Sequence, residues 1–129
     1  MLLRHDRVVT KPILINIPGR RSIELINYYK QFENDYPDAE SETKRFFVDT
    51  IEKDWNIVDA GANIGQYATS FSRLSPHGYI FAFEPTSTYE MLVNNLKYAG
   101  CKNVEAFKIA LSNEDVKKRD KIVRIWGQI

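Results

Sequence analysis

Cysteine is almost missing from this 129-residue chain: Cys101 is the only one. No internal disulfide and no cysteine metal knuckle can form, which fits a reducing compartment. Long apolar runs are missing too, and no window approaches the roughly 20 apolar residues of a membrane-spanning helix. Met1 to Lys11 carries basic residues but no apolar stretch of signal-peptide length. The expectation is therefore a cytoplasmic protein with no membrane partner. An excess of charge is also absent. Lys and Arg number 18 against 17 Asp and Glu, a net charge of +1, so no strong field argues for nucleic acid. There is no internal repeat and no low-complexity tract. What is present is an ordinary globular composition, 43% hydrophobic and 27% charged, in a chain long enough for one core.

Two kinds of periodicity divide the chain. From Pro12 to Tyr29 the pattern is that of a β-hairpin. Ile13, Ile15 and Ile17 alternate with other residues, Pro18-Gly19 makes a turn, and Ile23 and Leu25 alternate on the return. Asn34 to Asp38, with Tyr36-Pro37 inside it, reads as a loop. Ser41 to Lys53 reads as a helix with Phe46, Phe47 and Ile51 on its apolar side. Residues 1–40 are expected to form the hairpin and loop, and 41–129 a second domain.

Beyond that point strands and helices alternate. Asn56 to Ala60, Tyr79 to Phe83 and Val104 to Ala110 are short apolar strand signals. Ile64 to Leu74 is helical, with Ile64, Tyr67, Ala68 and Phe71 on one face. Ser75-Pro76-His77-Gly78 is a turn. Ser87 to Ala99 is a second helix, with Ser87 and Glu90 as a capping box and Tyr89, Leu92, Val93 and Leu96 as its buried stripe. Gly100 stands where a C-cap glycine belongs. This order predicts an α/β fold, a Rossmann-like three-layer α-β-α sandwich on a parallel sheet of about three core strands. Ile122, Val123, Ile125 and Trp126 begin one more strand signal.

The chemistry-bearing text is Asp59-Ala60-Gly61-Ala62-Asn63-Ile64-Gly65, between the first strand and its helix. Gly61 allows a sharp turn and a close ligand approach. Gly65 allows close helix packing. Asn63 tolerates left-handed backbone angles. Free amides at the helix start would favour an anionic group. Glu84 ends the second strand in Phe83-Glu84-Pro85, and a carboxylate there can accept from both hydroxyls of a ribose. The loop is not the dinucleotide fingerprint, because its spacing is G-x-x-x-G and the third glycine is missing. That counts against an NAD-linked oxidoreductase, which stays as an alternative.

The stretch from Ile57 to Tyr67 is similar to the opening motif of FkbM-type methyltransferases. Phe81-Ala82-Phe83-Glu84-Pro85 resembles their second motif. Asn94-Asn95-Leu96, Asn103-Val104 and Ala110-Leu111-Ser112-Asn113 resemble the segments that follow. The resemblance runs from about Phe46 to Asn113. It implies a class I methyltransferase that uses S-adenosylmethionine, with Asp59, Gly61, Asn63 and Gly65 around the methionine end and Glu84 on the ribose. Ala110 and Leu111 would then lie near the adenine. The implied acceptor is an oxygen of a small molecule or glycan.

The departure from the family lies after Asn113. There the text turns to Glu114-Asp115-Val116-Lys117-Lys118-Arg119-Asp120, and no acidic fourth-strand motif follows. No catalytic base can be named, and no metal site is expected. A non-catalytic fragment keeping part of a cofactor site is the other alternative. The resemblance also implies that the first strand lacks its usual neighbour, leaving an open sheet edge through which chains would self-associate. Bland readings compete at several positions. Asp59 would serve as a helix cap, Glu84 as a solvated strand-end carboxylate, Cys101 as a small turn residue, and His5 and His77 as surface histidines. Lys117-Lys118-Arg119 would be a solvated face.

Overall fold

The computed structural model describes residues 8–29, 40–113 and 122–124. The expected loop at 34–38, His5, the charged run at 114–120 and Ile125-Trp126 lie outside the described residues. Two compact units are resolved, Met1–Ile51 and Glu52–Ile129. The division falls after the first helix, whereas the sequence expectation set it before that helix, at residue 41.

In the first unit, β1 (Val8–Ile15) and β2 (Ile23–Tyr29) pair antiparallel, with Ile13 opposite Leu25 and Ile15 opposite Ile23. The alternation does what it predicts: Ile13, Ile15, Ile17, Ile23 and Leu25 are buried while Leu14 is exposed. The Arg20 amide donates to the Ile17 carbonyl at 3.0 Å and closes the Pro18-Gly19 turn. Helix α1 (Ser41–Thr50) stops three residues short of Lys53, because Ile51 is already extended. Its apolar side is also not the expected one. Phe46 is exposed and Lys44 is buried.

The second unit carries the α/β pattern in full: β3 (Ile57–Ala60), α2 (Gln66–Leu74), β4 (Ile80–Phe83), α3 (Tyr89–Tyr98) and β5 (Val104–Phe107). The three strands form one parallel sheet in the order β3-β4-β5, with Ile57 beside Ile80 and Ile80 beside Val104. Ala62, Ala68, Ala82, Leu92 and Leu96 form a buried cluster, with Tyr89, Cys101, Val104 and Ala106 packed against it. Burying a side chain such as Leu92 contributes about 1.5–3 kcal/mol. Cys101 is thus a packing residue of the α3–β5 turn. That turn is a Schellman motif: the Gly100 amide donates to Lys97 and the Cys101 amide to Leu96, each at 3.0 Å.

Two elements differ from the sequence reading. The expected strand Val104–Ala110 breaks, and Ala110–Ser112 forms a separate strand, β6, parallel to β7 (Ile122–Arg124). The cause lies in the neighbour. The ladder between β4 and β5 ends at Phe83 and Phe107, the Glu84 amide makes one more bond to the Phe107 carbonyl, and the next amide on that edge, Thr86, turns back to the Glu84 carboxylate. The expected capping box at Ser87 is also not formed. Helix α3 begins at Tyr89, and its N-cap Thr88 makes no side-chain capping bond. Among the described residues no helix is long and apolar enough to cross a membrane.

Candidate functional site

The site stands at the carboxyl ends of β3 and β4, where ligands of open α/β sheets bind. β3 delivers Asp59, the loop 61–65 leads into α2, and β4 delivers Glu84. Loop and strand are laced together by backbone. The Gly61 and Ala62 amides both donate to the Phe83 carbonyl, at 2.8 and 2.9 Å. Asn63 sits in the left-handed region at φ 52, as its residue type allows.

Glu84 is buried, with 7% of its surface exposed. One carboxylate oxygen accepts from the Asn63 amide at 2.9 Å. The other accepts from the Thr86 amide at 3.1 Å and the Thr86 hydroxyl at 2.6 Å. The solvated strand-end reading is therefore wrong. The amides of Gly61, Ala62 and Asn63 are already used, and Glu84 is the post to which the loop is tied. An ionised carboxylate offers about four acceptor positions, so three protein donors leave room for a further hydroxyl.

Asp59 caps α2 across space. The Ala68 amide donates to its carboxylate, while Oδ2 is out of solvent with no partner among the described residues. Burial, and then the charge of nearby Glu84, push its pKa from 3.8 up to about 6. The capping reading of Asp59 is thus realised, with one oxygen left over.

The two glycines divide the work. Gly61, at φ +75, has nothing within 4 Å of where a Cβ would stand, so space is open beside the loop. Gly65, at φ +104, is tightly set: a Cβ there would come within 3.2 Å of Leu92 Cδ1. Its closest neighbours are Leu92 and Asn95 of α3 and Thr69 of its own helix. Ala110 and Leu111 are half-buried in β6, outside the three-stranded sheet.

Sequence reasoning missed Thr86, Asn95 and Asn103. Asn95 is fully buried on α3 and donates to the Ile64 carbonyl at 2.9 Å, pinning the end of the loop. Asn103 donates to the carbonyls of Ser75 and Gly78, at 2.9 and 3.1 Å. His77 is exposed, as expected of a surface histidine. Among the described residues no cluster of His, Cys, Asp or Glu fits a metal ion.

Comparison with known proteins agrees with this geometry. No family model matches the chain. Methyltransferase 1 of Beauveria bassiana (strain ARSEF 2860) is 30% identical over 102 residues, which cover 72% of this chain and 41% of that protein. Among solved structures, Pyrococcus horikoshii TYW2 in complex with MeSAdo matches with a TM-score of 0.57 at 14% identity, over 79% of this chain and 37% of that one. M. jannaschii TYW2 in complex with AdoMet matches with a TM-score of 0.53 at 17% identity, over 82% of this chain and 45% of that one. The fold is the Rossmann-like fold of class I methyltransferases. The chain spans about two fifths of the length of these relatives.

Proposed function

We propose that this chain is the cofactor-binding part of an S-adenosylmethionine-dependent class I methyltransferase of the FkbM type, acting on an oxygen of a small molecule or glycan. The observation that carries the cofactor reading is the buried Glu84 at the end of β4, set against the Asp59-to-Gly65 loop. The FkbM reading is supported by the wording Gly61-Ala62-Asn63-Ile64-Gly65 and Phe83-Glu84-Pro85. The sequence likeness to a fungal methyltransferase supports the transferase reading.

The residues present fit such a cofactor. Asp59 Oδ2 is a buried acceptor in need of a donor, and Gly61 borders open space. Glu84 would take a ribose hydroxyl, and Asp59, Gly61, Asn63 and Gly65 would surround the methionine end. Bound S-adenosylmethionine supplies an electrophilic methyl on a sulfonium. The protein's part is to orient and to keep water out, which is where much of the barrier to an in-line transfer is met. No general base is assigned among the described residues.

A calorimetric titration with S-adenosylmethionine, S-adenosylhomocysteine and NAD side by side tests the reading. The first two should bind and NAD should not. Glu84→Ala should weaken S-adenosylhomocysteine by roughly 1.5–3 kcal/mol, the range for hydrogen bonds to a charged group. Unchanged affinity in that variant removes Glu84 from the site.

A further inference from the structure

Two buried side-chain polar atoms stand without a hydrogen-bond partner among the described residues: Asp59 Oδ2 and Gln66 Nε2. They stand at the two ends of one loop. Asp59 is the penultimate residue of β3 and Gln66 opens α2. One is an acceptor and the other a donor, yet they do not satisfy each other. Leaving a buried polar atom unpaired is costly, and a Leu or Met at position 66 would avoid that cost. A ligand that answers both atoms must present a donor to Asp59 and an acceptor to Gln66. A lone carboxylate answers only Gln66, while a ribose hydroxyl, which both donates and accepts, offers each atom a neutral partner. An α-amino acid group answers both, because its ammonium and carboxylate are two bonds apart.

We infer that Gln66 is a binding residue for the amino-acid end of the cofactor: its Nε2 donates to the ligand carboxylate while Asp59 Oδ2 accepts from the ligand ammonium. The inference rests on the S-adenosylmethionine reading above and adds a residue to it. Gly61, which lies between the two residues in the chain, has nothing within 4 Å of where a Cβ would stand. An ammonium beside Asp59 also offsets the burial that disfavours its ionised form.

The test compares S-adenosylhomocysteine with 5′-methylthioadenosine, a thioether nucleoside without the amino-acid group, by calorimetry on the full chain. The wild type should prefer S-adenosylhomocysteine. Gln66→Met should lower affinity for it by about 10- to 100-fold, the size of one hydrogen bond to a charged group, and leave 5′-methylthioadenosine unchanged. The melting temperature of ligand-free Gln66→Met should hold or rise, because an unpaired donor has been removed; a residue with only a structural role would lower it. Gln66→Glu, which sets a charge against the ligand carboxylate, should weaken S-adenosylhomocysteine at least as much. Equal losses for both ligands, or no loss for either, overturn the inference. Equal wild-type affinity for the two ligands also overturns it while leaving the nucleoside reading intact. Binding of neither ligand to the wild type removes the cofactor reading and this inference together.

Discussion

Asp59 and Glu84 place two carboxylates close enough for one to raise the pKa of the other. For Asp59 the folded-state value of about 6 lies above its ordinary 3.8, so folding favours the neutral carboxyl. The stability this brings is fully present below pH 3.8 and is lost as pH rises through about 6. A difference of that size corresponds to about 3 kcal/mol. Asp59→Asn keeps a carbonyl oxygen for the Ala68 amide and cannot ionise. Urea unfolding of this variant should show a gain over wild type at pH 7 that shrinks toward pH 4. A constant difference across that range would mean that Asp59 does not titrate between those values. The same substitution should weaken S-adenosylhomocysteine, so stability and binding are set against each other at one side chain.

At the scale of elements, the turn from α2 into β4 is locked to the segment before β3. The Ser75 hydroxyl donates to the Trp55 carbonyl at 2.7 Å, the Tyr79 amide to Asn56 Oδ1 at 3.0 Å, and the His77 amide to the Lys53 carbonyl at 2.8 Å. Gly78 is the point of closest approach, where a Cβ would overlap the Trp55 carbonyl. Gly78→Ala should therefore lower stability by roughly 1–3 kcal/mol, the range for overpacking. A melting curve that matches wild type would show that this seam gives way. The sequence made the strands, the two helices of the sheet and the Gly100 turn legible, because each follows from local periodicity or from one residue's backbone range. It did not show where β5 ends, because that depends on the Thr86 amide beyond the neighbouring strand turning back to Glu84. It did not show that Glu84 ties down the loop, because the bond to Asn63 crosses 21 positions. Asn95 and Asn103 stood out only within segments that resemble the family, since burial of an amide depends on carbonyls that only the folded chain brings near. Ser87 looked like a cap, but the hydroxyl that bonds the Thr88 amide is that of Thr86, at 3.2 Å.

Across the whole molecule, β3 has a strand neighbour on one side only among the described residues. Ile122–Arg124 does not supply the other, since it pairs with β6. An unpaired strand edge is a template for another chain. Light scattering on the 129-residue chain should therefore give a mass that climbs with concentration above 15.0 kDa. A constant monomer mass would mean that the edge is covered. The tie between the Asn63 amide and Glu84 has a different consequence. Asn63 is itself exposed, yet its amide proton is held by a carboxylate that is almost wholly buried. That proton can exchange with solvent only when the loop lifts from the strand. Its exchange rate in deuterated water is a clock for opening of the site alone, readable at a single peptide bond before any ligand is known.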